Sequence, residues 1–342
     1  MDKVFTGSVI NRKKVYWFDM KNRNGTEVRL SNYGGILSKY LVVNKMGSQQ
    51  DIVLGFDTIE EYISEKYLAN YPYFGAVIGR YANRIKNGKI KLNNKEFQLA
   101  KNAGGHCLHG GAKGFDRKVW NIAETTSVPN DKVDFHYLSR AGEEGFPGNL
   151  NVNVSFELKE TDELVINYTA NCDSDTLVNL THHDYFNLHP RKKNVADHTA
   201  HIVASFYLEQ DAEYLPTGKI LPVLNTPYDF RNKKKIGKDW DDANGYNQSF
   251  ILDKDSNQLS FAAGFLDYHS GISLEVWSTA PIAHFYTGKY LTETYGKNKE
   301  LYNAYGAFAI ELHNYPNAII SDTFLAKGDT YRQTTIYKTF SV

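Results

Sequence analysis

Hydrophobic and polar positions alternate with a period of two along most of the chain. Residues 152–158, 164–170 and 272–276 show the pattern most clearly, with an apolar side chain at every second position. Because successive side chains of a strand point to opposite faces, this alternation predicts half-buried β-strands. Turn dipeptides such as Asn24-Gly25 and Pro147-Gly148 separate the predicted strands.

Shorter signals predict two local elements and the overall fold class. The alternating segments 90–92 and 96–99 flank Asn93-Asn94, a pair that tolerates positive φ, so a hairpin is expected there. The segment Asp57-Thr58-Ile59-Glu60 resembles a capping box and predicts one or two helical turns, with little helix elsewhere. The pattern is typical of an all-β protein, and a single large antiparallel β-sandwich domain spanning residues 1–342 fits it best.

Composition and charge narrow the class of protein further. The chain has 342 residues, of which 42% are hydrophobic and 14% aromatic, enough to bury a sizeable core. Its 39 basic and 39 acidic side chains give a net charge of zero, which argues against binding to nucleic acids or acidic membranes. No apolar run approaches the ~18 residues of a membrane span. We therefore expect a soluble cytoplasmic protein, a monomer or weak homodimer, with Cys107 and Cys172 as free buried thiols.

Candidate chemistry is concentrated where histidines lie near other polar side chains. Three segments qualify: the glycine-flanked His106-Cys107-Leu108-His109, the pair His182-His183, and Glu311 with His313. In a strand, Glu311 and His313 point to the same face, away from their apolar neighbours. This arrangement suits the floor of a groove as well as a solvated surface.

Two kinds of chemistry are consistent with these residues. His106 and His109, with His182 or His183 and Glu311, could hold zinc or iron, although their spacing matches no common finger or protease signature. Alternatively, His183 and Glu311 could face each other across a ligand as a metal-free proton donor and acceptor. Such a pair suits reactions without redox or group transfer, such as opening and closing a hemiacetal.

The segment 79–85 adds hydrogen-bond donors near a predicted turn. Asn83 and Arg84 supply amide and guanidinium groups of the kind that recognise hydroxyl-rich ligands, although Arg84 could equally pair with an acidic neighbour. Tyrosine and phenylalanine side chains are available to stack on sugar rings.

At these motifs the sequence resembles the aldose 1-epimerase (galactose mutarotase) family. The similarity extends over essentially the whole chain, because the motifs follow in the family's order: Asn32-Tyr33-Gly34-Gly35, 51–57, 73–76, Asn83-Arg84-Ile85, Leu108-His109-Gly110-Gly111, Gly145-Phe146-Pro147-Gly148, 179–188, Phe285-Tyr286-Thr287-Gly288, Glu311 with Pro316, and 328–337. Each tetrapeptide alone is weak evidence, whereas the ordered series is specific.

The resemblance implies a fold, an activity and a set of site residues. The implied fold is a β-sandwich of the galactose-mutarotase type, and the implied activity is interconversion of the α- and β-anomers of a galactose- or glucose-like hexose without cofactor or metal. By position, Glu311 matches the family's general base, His183 its general acid and His109 a second catalytic histidine that also binds substrate. Asn83 and Arg84 match residues that contact sugar hydroxyl groups.

Several positions depart from the family pattern. Asn247 stands where an aspartate that binds a sugar hydroxyl is usual, so we expect it to bind substrate with one charge fewer and an NH₂ donor more. His106, His182 and His313 also replace other residues, and their roles are left open. The preferred sugar, including the reducing end of a disaccharide, is therefore not fixed by the sequence. A non-catalytic sugar-binding module and a sugar-phosphate epimerase are further alternatives.

Overall fold

The computed structural model describes residues 1–190, 194–241, 244–255, 257–316 and 323–342. The first strands in chain order are β1 (Asp2–Ile10), β2 (Lys13–Lys21), β3 (Glu27–Ser31), β4 (Leu37–Val43), β5 (Gln49–Asp51), β6 (Ala76–Ile78), β7 (Arg84–Ile85), β8 (Lys89–Leu92), β9 (Lys95–Gln98), β10 (Cys107–Leu108), β11 (Asn121–Thr126), β12 (Asp131–Ser139), β13 (Leu150–Leu158), β14 (Glu163–Cys172) and β15 (Thr176–Leu177).

The later strands are β16 (Thr181–His183), β17 (Tyr185–Phe186), β18 (Thr199–Ile202), β19 (Phe206–Gln210), β20 (Pro216–Pro222), β21 (Lys234–Lys235), β22 (Asn247–Ile251), β23 (Ser260–Leu266), β24 (Ile272–Ser278), β25 (Ile282–Tyr286), β26 (Thr294–Tyr295), β27 (Leu301–Tyr302), β28 (Phe308–His313), β29 (Phe324–Leu325) and β30 (Thr330–Ser341). Helical elements within the described residues are α1 (Ile59–Tyr62), α2 (Glu65–Ala69) and 3₁₀ turns at Lys86–Gly88, Phe115–Arg117, Glu143–Gly145, Val195–Asp197, Ile236–Lys238 and Lys297–Lys299.

Two large antiparallel sheets form the body of the fold. One has nine strands in the order β11-β12-β13-β14-β30-β24-β23-β18-β21, and the other has six in the order β17-β28-β25-β22-β19-β20. Their inner faces share one core, in which Phe265 of the first sheet stacks on Phe308 of the second at 4.2 Å and lies 5.7 Å from Phe285. The predicted antiparallel β-sandwich with very little helix is therefore confirmed.

The local predictions agree with the structure because they depend on local rules. In β13 the apolar side chains of the alternating run are buried, and β24 repeats the pattern. Asn93 and Asn94, with φ of 48° and 62°, connect β8 to β9. Helix α1 begins after Thr58, which forms a capping box with Glu61.

Two further expectations concern cysteines and membranes. Cys107 and Cys172 are both buried and free, as expected. None of the helices in the described part of the chain is long and apolar enough to cross a membrane.

Candidate active site

Three parts of the fold bring polar side chains to one cleft. The six-stranded sheet contributes Glu311 from β28 and, on the strand paired with it, His284 directly opposite. Strand β16, which pairs with β6, ends at His183. The short β7–β10 ladder places Arg84 opposite Leu108, and the chain turns into the cleft at the next residue, His109.

The cleft has a cavity volume of about 140 Å³. Every site residue expected from the sequence lines it: Asn83, Arg84, His109, His183, Asn247 and Glu311. His106, His182 and His313 do not line it, although each lies within two positions of a residue that does. The lining also includes several tyrosines, namely Tyr71, Tyr73, Tyr185, Tyr286 and Tyr290.

His183 and Glu311 face each other in this cleft but are not tightly bonded. His183 Nε2 lies 3.5 Å from Glu311 Oε1, which is longer than a normal N–H···O hydrogen bond. The other polar atom of each side chain, His183 Nδ1 and Glu311 Oε2, is buried and has no hydrogen-bond partner among the described residues. Buried polar groups are normally satisfied, so this pair has unused capacity to bond a ligand.

Burial shifts both ionisable groups of the pair toward their neutral forms. The imidazole of His183 is stacked against Tyr73 and Tyr185, with ring centroids 5.9 Å and 4.9 Å away. Desolvation lowers the pKa of His183 from 6.5 to about 4. It also raises the pKa of Glu311 from 4.5 to about 8, despite the opposing effect of the Arg84 cation. The pair therefore holds one proton near neutral pH.

His109 has a defined tautomer. The backbone N–H of Asn83 donates to His109 Nδ1 at 3.2 Å, so the proton of the neutral ring is on Nε2. The ring is neutral because burial, with smaller contributions from the nearby His183 and Arg84 side chains, lowers the pKa of His109 well below its usual value. His109 thus offers an N–H donor.

The same hydrogen bond bears on the alternative of a metal site. Ligand atoms of His109, His183 and Glu311 lie within 4.8 Å of one another, a separation that a zinc ion could bridge. A metal-binding imidazole normally coordinates through one nitrogen and donates its other N–H to an acceptor. His109 Nδ1 instead accepts a hydrogen bond, so its Nε2 carries hydrogen and has no lone pair for a metal. The donor set fits a polar organic ligand better than a cation.

The backbone is strained where the cleft is lined. Tyr73, Asn83 and His109 have φ of 61°, 65° and 52°, in the left-handed region that is costly for residues other than glycine. Gly110 follows His109 at φ +86°, and a Cβ there would lie 2.0 Å from the carbonyl oxygen of Gly79. The glycine at position 110 of the Leu108-His109-Gly110-Gly111 motif therefore allows the backbone to pack closely against Gly79, which positions His109.

Sequence reasoning missed His284. Its Nε2 lies 2.9 Å from Oδ1 of Asn247, and its Nδ1 lies 2.8 Å from the hydroxyl of Ser249. The available signal was alternation: His284 is two residues before Tyr286, so both side chains lie on the same face of β25. Only the strand register shows that this face also carries Glu311.

Comparison with known proteins identifies the family of the chain that forms this cleft. Residues 17–338 match the sequence model of the aldose 1-epimerase family. Human galactose mutarotase is 40% identical over 323 residues, covering 92% of this chain and 91% of that protein. An aldose 1-epimerase from Escherichia coli K12 is 32% identical over 332 residues, 93% of each chain.

Solved structures agree with the sequence comparison. An aldose epimerase homologue from C. elegans superposes with a TM-score of 0.87 at 30% identity, covering 95% of this chain and 99% of that one. The galactose 1-epimerase of Lactobacillus acidophilus gives the same TM-score of 0.87 at 26% identity, covering 99% and 98%. The resemblance inferred from the motifs is confirmed, and the chain belongs to the aldose 1-epimerase family of carbohydrate isomerases, which interconvert the anomers of aldoses.

Proposed function

We propose that this protein interconverts the α- and β-anomers of a galactose- or glucose-like hexose in the cleft, with His183 as general acid and Glu311 as general base. The observation that carries the proposal is the separation of 3.5 Å between these two buried side chains, each with an unpartnered polar atom. Two relatives bear the name galactose mutarotase or galactose 1-epimerase, which supports the choice of sugar.

The proton count of the pair suits this reaction. Ring opening needs one group that accepts a proton and one that donates a proton. With pKa values of about 4 for His183 and about 8 for Glu311, the free pair holds a single proton between these limits. In a coupled pair that proton belongs to both groups, and the state with imidazolium and carboxylate has the same proton count as the neutral state. The hydroxyl groups of the bound sugar supply the missing hydrogen-bond partners. They favour the state with imidazolium at His183 and carboxylate at Glu311, which is the state that can react.

The reaction then proceeds by one proton transfer at each oxygen. Glu311 takes the proton of the anomeric hydroxyl, the C1–O1 bond becomes a carbonyl, and the electrons of the breaking C1–O5 bond go to the ring oxygen. His183 donates its proton to O5. Rotation about C1–C2 presents the other face of the aldehyde, and the two transfers run in reverse to close the opposite anomer. Each acid or base contribution is expected to supply about 10²–10⁴-fold in rate.

The remaining lining residues bind and orient the sugar in this proposal. The Nε2–H of His109 stabilises negative charge that develops on an oxygen at the reacting centre. Asn83, Arg84 and Asn247 bond ring hydroxyl groups, and Tyr73 and Tyr185 shield the acid from water.

Two alternatives meet specific observations. A sugar-binding module needs no proton donor and acceptor, so the two buried ionisable groups would be a cost without a benefit. A sugar phosphate would need several cations, whereas Arg84 is the one Lys or Arg side chain among the described residues that line the cleft. The tautomer of His109 disfavours a metal centre, because its Nε2 carries a hydrogen and has no lone pair for a metal ion.

Polarimetry tests the proposal directly. Freshly dissolved α-D-galactose and α-D-glucose should reach rotational equilibrium faster with enzyme, and Glu311→Gln or His183→Asn should remove nearly all of the acceleration while the protein stays folded. Glu124→Gln on the exposed side of β11 and His136→Asn on β12 are matched controls. Sugar binding without any acceleration would favour the binding module, and activity abolished by a chelator would favour a metal enzyme.

We also propose that the enzyme works without a cofactor, as one domain of residues 1–342, in the cytoplasm and as a monomer or weak homodimer. Light scattering coupled to size-exclusion chromatography across a range of concentrations tests the oligomeric state. A stable higher oligomer would contradict that part of the proposal.

A further inference from the structure

Three side chains form a hydrogen-bonded chain along one wall of the cleft. Strands β22 and β25 pair with Ser249 opposite His284 and with Asn247 opposite Tyr286. The hydroxyl of Ser249 lies 2.8 Å from His284 Nδ1, and His284 Nε2 lies 2.9 Å from Asn247 Oδ1. Asn247 and His284 line the cleft, whereas Ser249 is completely buried behind them.

The direction of each hydrogen bond in this chain follows from donor and acceptor chemistry. Burial lowers the pKa of His284 well below its usual value, and nearby His313, Arg84 and His183 add to the effect, so the ring is neutral and carries one N–H. The amide oxygen of Asn247 can only accept, so the proton is on Nε2. Nδ1 then has a lone pair and accepts the hydroxyl proton of Ser249.

We propose that Ser249 and His284 are positioning residues that fix the amide of Asn247 with its oxygen toward His284 and its NH₂ group toward the sugar. The wall therefore presents a hydrogen-bond donor, and the sugar hydroxyl that meets it must accept. This inference rests on the proposed function, because it concerns how the same cleft selects its hexose.

An amide at position 247 acts on the sugar hydroxyl in the opposite sense to a carboxylate at the same position. An aspartate would accept from the sugar hydroxyl, whereas the fixed amide donates to it. Fluorine can accept a weak hydrogen bond but cannot donate one. At the carbon facing Asn247, a deoxyfluoro sugar should therefore keep part of the binding that the deoxy sugar loses.

Nuclear magnetic resonance of the imidazole nitrogens tests the hydrogen bonds from Ser249 through His284 to Asn247, with or without sugar. In the wild-type protein labelled with nitrogen-15 at histidine, we expect His284 as the neutral Nε2–H tautomer. Ser249→Ala should leave the proton on Nε2, which still has Asn247 Oδ1 as its acceptor, but should change the nitrogen-15 shift of Nδ1, because this lone pair loses the hydroxyl donor. Ser249→Thr should restore the wild-type shift. A wild-type Nδ1–H tautomer, or an unchanged spectrum in Ser249→Ala, would overturn the proposal.

Binding of 2-, 3-, 4- and 6-deoxy and deoxyfluoro galactose, measured by KM or inhibition constant, tests the consequence for specificity. At one carbon the fluoro sugar should bind the wild-type enzyme roughly 2- to 10-fold more tightly than the deoxy sugar, the range of one neutral hydrogen bond. Asn247→Asp should remove this ratio, and Ser249→Ala should reduce it, because the His284 ring then loses one of the two hydrogen bonds that hold it. Ser273→Ala, a half-buried serine on β24, should keep the ratio.

These outcomes separate the inference from the proposed function. A wild-type protein that binds hexoses but does not accelerate mutarotation would defeat the proposed function and leave the tautomer measurement intact. A mutarotase in which no carbon shows the fluoro preference, or in which Asn247→Asp keeps it, would defeat the inference alone.

Discussion

His182 and His183 are neighbours in β16 but belong to two different pairs. His182 pairs with Asp184 in the interior of the fold, and His183 faces Glu311 in the cleft. Both are almost completely buried, with 2% and 4% of their surface exposed, so burial does not distinguish them. His182 Nδ1 lies 2.8 Å from the carboxylate of Asp184, and its Nε2 lies 3.0 Å from the carbonyl oxygen of Gly35. His183 has only the 3.5 Å approach to Glu311 and an unpartnered Nδ1.

Adjacent residues of a strand point to opposite faces, and the two faces have different surroundings. His182 points to the core, where its ring lies 5.5 Å from that of Phe156, and both of its nitrogens are hydrogen-bonded. His183 points to the cleft, where aromatic rings surround it and polar partners are missing. The two hydrogen bonds of His182 tie its ring to the fold. The missing partner of His183 leaves this ring able to bond a ligand, at a cost in stability.

The largest expected effect comes from exchanging these two histidines for asparagine one at a time. His183→Asn should lower kcat/KM for mutarotation by about 10²–10⁴-fold, because the proton donor is lost, with little change in unfolding free energy. His182→Asn should lower the unfolding free energy by about 3–5 kcal/mol, because Asp184 then stays buried without its partner. Polarimetry and urea denaturation measure the two quantities. If His182→Asn mainly lost activity and His183→Asn mainly lost stability, the comparison would be contradicted.

The next effect is the pH dependence of the reactive pair. Between a pKa of about 4 for His183 and about 8 for Glu311, the pair holds the single proton that the reaction needs. Below the lower limit both groups are protonated and no acceptor remains; above the upper limit both are deprotonated and no donor remains. We expect kcat/KM to fall about tenfold per pH unit beyond each limit. Circular dichroism at each pH controls for unfolding, and a profile that is flat through both limits would contradict the assignment.

A smaller effect concerns the stability cost of the reactive pair. The pKa of Glu311 is about 8 in the folded protein and near 4.5 when unfolded, so its contribution to stability is fully present below pH 4.5 and is lost as the pH rises toward 8. Glu311→Gln cannot ionise. It should therefore be more stable than the wild-type protein at neutral pH, by up to about 1.4 kcal/mol per pH unit above the unfolded value, and equal to it at pH 4. Thermal unfolding at several pH values checks this, with Glu124→Gln as control.

The smallest effect tests how rigidly the cleft loop is held. Gly110 and Gly105 have similar φ of +86° and +90°, but only at Gly110 would a Cβ meet backbone, 2.0 Å from Gly79 O. Both alanine variants carry the cost of a left-handed residue, and Gly110→Ala should lose about 1–3 kcal/mol more because the backbone must shift. It should also lower activity, because His109 precedes it. Equal losses in Gly105→Ala and Gly110→Ala would show that close contact does not matter here.

Much of the fold could be predicted because its rules are local. The alternation of apolar side chains in β13 and β24, the Asn93-Asn94 hairpin and the capping box at Thr58 each depend on neighbours within a few residues. The ordered motifs were enough to identify the family, and they named six side chains that line one cleft. Their catalytic and binding roles stay predictions.

What the sequence determined by itself was the β class, the family and the chemical groups available to the site. What only the tertiary structure decided was which of those groups meet. His284 is 37 residues from Asn247 and bonds it through the register of β22 and β25, and the same kind of pairing sets His284 opposite Glu311. The direction that His182 and His183 face, the tautomer of His109 and the raised pKa of Glu311 likewise depend on distant residues. Local patterns select strands, whereas hydrogen bonding and desolvation at a site depend on which strands become neighbours.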